Sequence, residues 1–519
     1  MRLHDVLDYQ ARQRPHGEFV RHRGRSLTFG AAVHECERLA SAFVTSGLAT
    51  GDRVAFVSKN CIEHVLVYFA ASMAGVVPVP LNFRLPAEQW RTVINDAGAR
   101  MVIAAGEYAP ALDALREELG TVERFIGIGG TPGPAWTEYQ DLPAGGTVAL
   151  RPASADDPAY ILYTSGTTGD PKGAVITHRS LVAHMMQVTA FYGAEPHRRI
   201  LVVTPLSHVH AAFQAFICAC WGSCLCILDA FDPAEMIRTL VDERIAIAVV
   251  VPSMIRACLT AVPDIETRRF DDLRLMHYGA APIAENTLRR AVDVFRCDFV
   301  QGYGMTETTA GVTFLLQEDH RRALAGNTAL LRSAGRAALG NEVRVANERD
   351  ESLPPGTVGE IIVRGPTLMR GYWQRPAETA QALRNGWMHT GDLGWMDQDG
   401  YLYVVDRASD AINSGGENVY PRMVEEVLLR HPAVADAAAI GVPDERWGET
   451  VKATVVLHSG YVATAADLLT HCGEHLAGFQ RPRSLEFRDA LPYNASGKLL
   501  RRMLREPYWT GRERRVGAA

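Results

Sequence analysis

Between residues 27 and 402 the chain repeats one pattern, a short apolar run followed by a stretch whose apolar residues recur at helical spacing. Residues 53–58, 101–104, 200–203, 245–251 and 274–278 read as strands, with helical patterns between several of them. Strands joined through helices must run parallel, because the crossover returns each strand to the same end of the sheet. The expected class is therefore α/β, with ligands gathered at the carboxyl ends of the strands. Residues 344–365, with the turn Pro354-Pro355-Gly356, predict a smaller antiparallel subdomain.

Beyond Asp406 the character changes. Small and polar residues, Ala408-Ser409-Asp410 and then Asn413-Ser414-Gly415-Gly416, follow a predicted strand at 401–405. The remainder has its own helices (422–429, 465–476) and strands (437–441, 453–457). A chain of 519 residues exceeds one cooperative domain, and the expected division is 1–406 and a small α+β domain at 407–519.

Bulk properties exclude several functions. A net charge of −6, with no basic stripe interleaved with aromatics, gives nucleic acid no footprint. The most apolar stretches, 65–81 and 216–228, are broken by Gly, Pro or Ser and fall short of a span of roughly 18 apolar residues. The N-terminal residues lack the apolar core of a signal peptide, so no integral membrane association and a cytoplasmic setting are expected. Nine cysteines then imply reduced thiols. Cys218, Cys220, Cys224 and Cys226 lie close together, but their spacing is not that of a zinc knuckle and their neighbours are apolar, which favours buried, inert thiols.

The chemistry concentrates in a few motifs. Tyr163-Thr164-Ser165-Gly166-Thr167-Thr168-Gly169-Asp170-Pro171-Lys172-Gly173 follows a predicted strand, and Thr177 is placed to cap a helix starting near His178. Glycines let backbone N–H groups face an anion, hydroxyls add donors, and a lysine adds a point charge, which together make a polyphosphate cradle. Only four of the 53 cationic residues are lysines (Lys59, Lys172, Lys452, Lys498), so a lysine in this loop is pointed. The spacing is not Walker A, which needs four residues between its glycines.

Gln301-Gly302-Tyr303-Gly304-Met305-Thr306-Glu307 reads as a glycine loop, with a flat face at Tyr303 for a purine and a hard oxygen at Glu307 for Mg2+. Trp387-Met388-His389-Thr390-Gly391-Asp392 puts a carboxylate on a predicted turn, suited to ribose hydroxyls, and Asp406-Arg407 offers another. Asn494-Ala495-Ser496-Gly497-Lys498 places the last lysine on a glycine-flanked turn.

In order and over residues 27 to 504, these motifs resemble the adenylate-forming superfamily: acyl-CoA synthetases, peptide-synthetase adenylation domains and luciferases. The run Ser414-Gly415-Gly416-Glu417-Asn418-Val419-Tyr420-Pro421 is most similar to the acyl-CoA synthetase branch.

The resemblance implies a large domain that binds ATP and a carboxylic acid, and a small lid domain that rotates between two half-reactions. It implies that Thr164, Ser165, Gly166, Thr167, Thr168 and Lys172 order the ATP phosphates, and that Gly279, Ala280 and Ala281 lie along adenine. Gln301, Gly302, Tyr303 and Gly304 would complete the nucleotide site, Tyr303 by stacking on the base. Thr306 would contact the α-phosphate, Glu307 would hold Mg2+, and Asp392 and Arg407 would bind ribose. Lys498 matches the catalytic lysine of adenylation, and Gly415, Gly416 and Glu417 the lid segment lining the coenzyme A channel.

The acid pocket is expected near His208, Val209, Phe213, Tyr278 and Gly302, with His208 near the carboxylate or simply structural. No aspartate lies in 208–213 for a substrate amine, which tilts toward a fatty, aryl or alicyclic acid. One residue departs from the pattern: where the family's hinge carries Lys or Asp, this chain has Ser409.

The implied activity is an ATP- and Mg2+-dependent carboxylic acid–CoA ligase. Three alternatives stand beside it: an enzyme confined mainly to one half-reaction by its hinge, one that loads an acyl carrier protein, and a nucleotide-binding regulatory protein.

Overall fold

A computed structural model of the chain describes residues 1–142, 154–164, 171–193, 196–281, 283–493 and 499–510. The α/β class is as expected. The chain forms two compact units, Met1–Val343 with Val363–Met388, and Arg344–Ile362 with His389–Ala519.

The first unit is built around a nine-stranded sheet. Side by side lie Arg336–Ala337, Ala310–Leu315, Asp298–Met305, Leu275–Gly279, Ile247–Val250, Arg199–Val202, Cys224–Ile227, Glu18–His22 and Arg25–Thr28. The six from Asp298–Met305 to Glu18–His22 are mutually parallel. Antiparallel strands close both edges. A second sheet of five strands is parallel throughout, around Arg53–Val57 and Ala99–Ala105. A small antiparallel sheet joins Gly371–Tyr372, Lys172–Thr177 and Pro158–Thr164.

The two apolar runs resolve into a helix, a glycine and a strand each. Ile62–Ala74 is buried at every position, ends at Gly75 (φ +71°) and leads to Val77–Leu81. Val209–Trp221 ends at Gly222 (φ +72°) and leads to Cys224–Ile227. A helix enclosed by sheet has no solvent face and reads as apolar all round. Among the described residues, no helix is long and apolar enough to cross a membrane. Cys218, Cys224 and Cys226 are buried and burial pushes the Cys218 thiol up, which keeps it protonated.

In the second unit, Glu417–Val419, Ile412–Ser414, Gly448–Leu457 and Val434–Asp444 form an antiparallel sheet, with Ser484–Phe487 parallel to Gly448–Leu457. The helices Pro421–Leu428 and Ala465–His475 contribute Val424, Leu428 and Leu468 to its core. Each fully buried side chain of this size stabilises by about 1.5–3 kcal/mol. A four-stranded sheet of Glu342–Ala346, Gly359–Arg364, Met388–Met396 and Leu402–Arg407 falls mainly in this unit.

Two local expectations need correction. Gln301–Met305, read as a loop, continues the strand Asp298–Met305 and pairs with Ala310–Leu315 through a bulge at Tyr303/Gly304. The glycines there permit close approach rather than irregularity, since a Cβ on Gly304 would lie 1.8 Å from the Ala310 carbonyl oxygen. Asp392, read on a turn, lies within the strand Met388–Met396 opposite Arg407.

We expect Gly304→Ala to lower stability by roughly 1–3 kcal/mol in urea unfolding, because backbone must move to admit the methyl. Gly133→Ala, with nothing within 4 Å, should stay within about 0.5 kcal/mol.

Candidate active site

In the first unit, Thr164 ends the strand Pro158–Thr164 and pairs with Lys172 at the start of the next. The two residues form the neck of the predicted phosphate loop. Tyr163 anchors that neck by donating to Asp96 at 2.6 Å, and Asp96 also accepts from Arg375 at 2.5 Å. Thr177 does cap the following helix, accepting from the Ser180 backbone N–H at 3.2 Å. Ser165, Gly166, Thr167 and Thr168 lie outside the described residues.

Lys172 Nζ stands 5.5 Å from the centre of the Tyr372 ring, and Tyr372 donates its hydroxyl to Glu307 Oε1 at 2.8 Å. One tyrosine thus bridges the loop lysine and the predicted metal ligand. Tyr372 was not anticipated from the sequence; the only hint is an aromatic after Gly371, whose φ of +151° lets the strand start there. Glu307 is 5% exposed in the 3-10 turn Thr306–Thr308 that follows the strand, with partly exposed Thr306 beside it. A carboxylate of hard oxygens fits Mg2+, which takes one or two carboxylates together with phosphates and water.

Gly279 and Gly302 are register partners at the carboxyl ends of neighbouring parallel strands, and a Cβ on Gly279 would lie 2.7 Å from the Gly302 oxygen. Beyond Gly279 the chain turns through Ala280, exposed and at φ +65°, to half-buried Ala281. Gln301 and Tyr303 are half-buried and Gly304 is exposed.

Of the predicted acid-pocket residues, Tyr278 and Phe213 are fully buried. The Tyr278 hydroxyl lies 2.9 Å from His320 Nε2, and the Phe213 ring lies 4.3 Å from His184. His208 occupies the N-cap position of the helix Val209–Trp221 without a side-chain capping bond, half-buried beside half-buried Val209, with its Nε2 3.5 Å from Asn82. Burial holds its imidazole down at about 4, so it is neutral near pH 7.

In the second unit the two predicted ribose ligands meet: Arg407 Nε is 3.2 Å from Asp392 Oδ1, and Asp392 is 7% exposed. Asp406, also 7% exposed, accepts from the backbone N–H groups of Arg407 and Arg422 at 2.8 and 3.0 Å. Burial nevertheless raises its carboxyl to about 6, partly opposed by the Arg501 guanidinium. Ser409 lies in the 3-10 turn Ala408–Asp410, and Arg501 and Arg505 each approach Asp410 at 3.7 Å. Arg501 also pairs with Glu425 at 2.6 Å.

Lys498 lies outside the described residues. On either side of that segment, Tyr493 and Leu499 form a bridge and the Leu500 N–H donates to the Pro492 oxygen at 2.8 Å. Gly415 and Gly416, at φ +67° and +91°, make the two-residue turn of a tight hairpin whose register partners are Ser414 and Glu417. Gly415 donates to the Trp447 oxygen at 2.8 Å, and a Cβ there would strike the Trp447 ring at 2.5 Å.

Comparison with known proteins follows this geometry. Residues 7–373 match the family model for AMP-binding enzyme, and 423–498 that for the AMP-binding enzyme C-terminal domain. A feruloyl-CoA synthase of an Amycolatopsis species is 38% identical, covering 96% of this chain and 97% of that one. A fatty acid–[acyl-carrier-protein] ligase, ScoC of Streptomyces coeruleorubidus, is 36% identical over 99% and 98%. Among solved structures, ATP-bound MatB from Rhodopseudomonas palustris superposes with a TM-score of 0.88 at 29% identity, covering 98% of this chain and 99% of that one.

Asp406 generates a prediction. Its carboxyl titrates near 3.9 when unfolded and about 6 when folded, so the fold binds the proton more tightly. That stabilisation is complete below pH 4 and is lost as pH rises through about 6, a change of about 3 kcal/mol. Asp406→Asn should therefore gain about 2 kcal/mol on the wild type between pH 4.5 and 7.5 in denaturant unfolding of the whole chain. A difference between the two proteins that does not vary with pH would refute the assignment.

Proposed function

The chain belongs to the AMP-binding enzyme family and is an AMP-forming acid–thiol ligase using ATP, Mg2+ and coenzyme A; we propose that the motifs above divide its two half-reactions as follows. In the first, a carboxylate oxygen attacks the α-phosphorus of ATP, the bond to the β-phosphate oxygen breaks, and pyrophosphate leaves. Two anions must meet, so the step needs cations already in place. Lys172 and Thr164 hold the outer phosphates with Ser165, Gly166, Thr167 and Thr168, while Lys498 and Thr306 stabilise charge at the α-phosphate. Glu307, oriented by Tyr372, would hold Mg2+, which supplies charge neutralisation along the triphosphate. Gly279, Ala280, Ala281 and Tyr303 receive the base, helped by Gln301, Gly302 and Gly304, and Asp392 with Arg407 receives the ribose.

In the second half-reaction the thiol sulfur of coenzyme A attacks the acyl carbon and AMP departs. Unperturbed thiols titrate near 8.5, so modest activation is enough. Gly415, Gly416 and Glu417 line the thiol's channel, and the functional boundary between domains falls between residues 406 and 407, beside the turn that carries Ser409. Free coenzyme A is the favoured acceptor; the likeness to ScoC supports testing carrier proteins against it. The acid is fatty, aryl or alicyclic, and His208, Val209, Phe213, Tyr278 and Gly302 mark where it lies. Nine free cysteines are consistent with a reducing, cytoplasmic setting.

The observation that carries this assignment is the Lys172–Tyr372–Glu307 cluster, a phosphate-loop lysine beside a hard metal ligand. Lys498→Ala should slow ATP–pyrophosphate exchange by roughly 10²–10³-fold, the scale for losing one transition-state donor. Thioester formation from supplied acyl-adenylate should fall much less, and equal damage to both steps would contradict the role. For Ser409, comparable wild-type rates in the two assays are expected, and adenylation without thioester formation would mark a hinge that serves one step only.

A further inference from the structure

Beside Gly302 lies a nest of imidazoles that the phosphate chemistry does not use. His277 comes from the strand Leu275–Gly279, His184 from the helix His178–Tyr192 and His210 from the helix Val209–Trp221. The rings of His210 and His277 are 4.6 Å apart, and the Tyr192 hydroxyl lies 2.5 Å from His277 Nδ1. Aromatic rings enclose the group: Phe213 is 4.3 Å from His184, Phe314 is 6.1 Å from His277, and Phe191 is 4.5 Å from Phe314.

Two nitrogens are left over. Nε2 of His277 and Nε2 of His210 are buried and meet no hydrogen-bond partner, and His277 is only 5% exposed. The His277 nitrogen stands over the glycine at 302, where a Cβ would lie 3.0 Å from it. Buried polar atoms are normally paired, and two orphans on neighbouring rings weaken a fold that gains nothing else from them. A neutral imidazole offers one donor and one acceptor, so the orphans call for a group able to do both. Burial holds His184 and His210 at about 4 and His277 well below its ordinary value, so at neutral pH the nest is uncharged and offers nothing to balance a second carboxylate.

We infer that this nest is the far end of the acid site, and that it takes a hydroxyl on an aromatic ring which hydrogen-bonds to the orphan nitrogens of His277 and His210. The substrate class is then a hydroxyaryl carboxylic acid. This rests on the ligase reading and narrows its substrate. The aromatic enclosure supplies the ring contacts, and Tyr192 is a positioning residue that sets which way the His277 ring faces.

The test is ATP–pyrophosphate exchange by the wild type and by His277→Phe and His210→Phe, using 3-(4-hydroxyphenyl)propanoic acid, 3-phenylpropanoic acid and decanoic acid. The hydroxylated acid should exceed its deoxy partner at least about 10-fold in kcat/KM, since a site built to bond a hydroxyl discriminates against its absence. In each variant whose thermal melting shows it folded, that ratio should fall to within about 3-fold of unity. The wild-type ratio needs no variant, so a misfolded variant does not shelter the proposal. Exchange with decanoic or phenylpropanoic acid but no preference for the hydroxyl would overturn this inference and leave the ligase reading standing. A preference that persists in both folded variants would also overturn it. No exchange with any of the three acids would overturn the inference as well, since a hydroxyaryl acid would then not be accepted, while the ligase reading would pass to a wider screen of acids.

Discussion

The proposed nucleotide site of the first unit depends on a steric constraint: where Leu275–Gly279 and Asp298–Met305 run side by side toward their carboxyl ends, there is room for hydrogen and nothing larger. A methyl on Gly279 would meet the Gly302 oxygen, one on Gly304 the Ala310 oxygen, and one on Gly302 the His277 ring. The same close approach turns Tyr303 out of a strand rather than off a loop, so its backbone is fixed by ladder hydrogen bonds, and Glu307 follows in the turn at the strand's end. Rigid placement suits groups that must meet charge developing in a transition state, where reorganisation would cost rate.

Charge is handled differently in the two units. In the first, the loop lysine faces an aromatic ring and the buried carboxylate leans on a phenol, so both keep capacity for a ligand. In the second, charges are already matched: Arg407 with Asp392, and Arg501 with Glu425 and Asp410. The Arg501 pairs fix the start of the helix Arg501–Trp509, just beyond Lys498, against the turn that holds Ser409. Any ligand of Asp392 would share an oxygen that Arg407 already contacts.

Much of the fold could be read from residue pattern because strands such as Arg53–Val57 and Leu275–Gly279 are apolar runs between turn residues, and Thr177 announced its helix. The errors have one origin. Glycine content made Gln301–Met305 look irregular, and Gly391 made Asp392 look like a turn residue, yet each lies in a ladder whose partner strand comes later in the chain. Pairing is a tertiary fact that local composition does not carry. Tyr372 was invisible for a similar reason, since its importance comes from reaching Glu307 across 65 positions of sequence. The imidazole nest draws on three separate elements, and no single window of residues contains more than one of its ring pairs.

The sheet order also governs how the protein can be made. Glu18–His22 takes its parallel neighbour from Cys224–Ile227, with Val20 opposite Leu225. On a ribosome adding about 5–20 residues per second, that edge waits on the order of 10–40 s for its mate. For part of the delay the enclosed helix Ile62–Ala74 has emerged without its later neighbour Pro158–Thr164. Synthesis rate and chaperone supply, rather than final stability, should then limit the yield of active enzyme, and a fragment ending before residue 224 would carry an unpaired apolar edge prone to self-association.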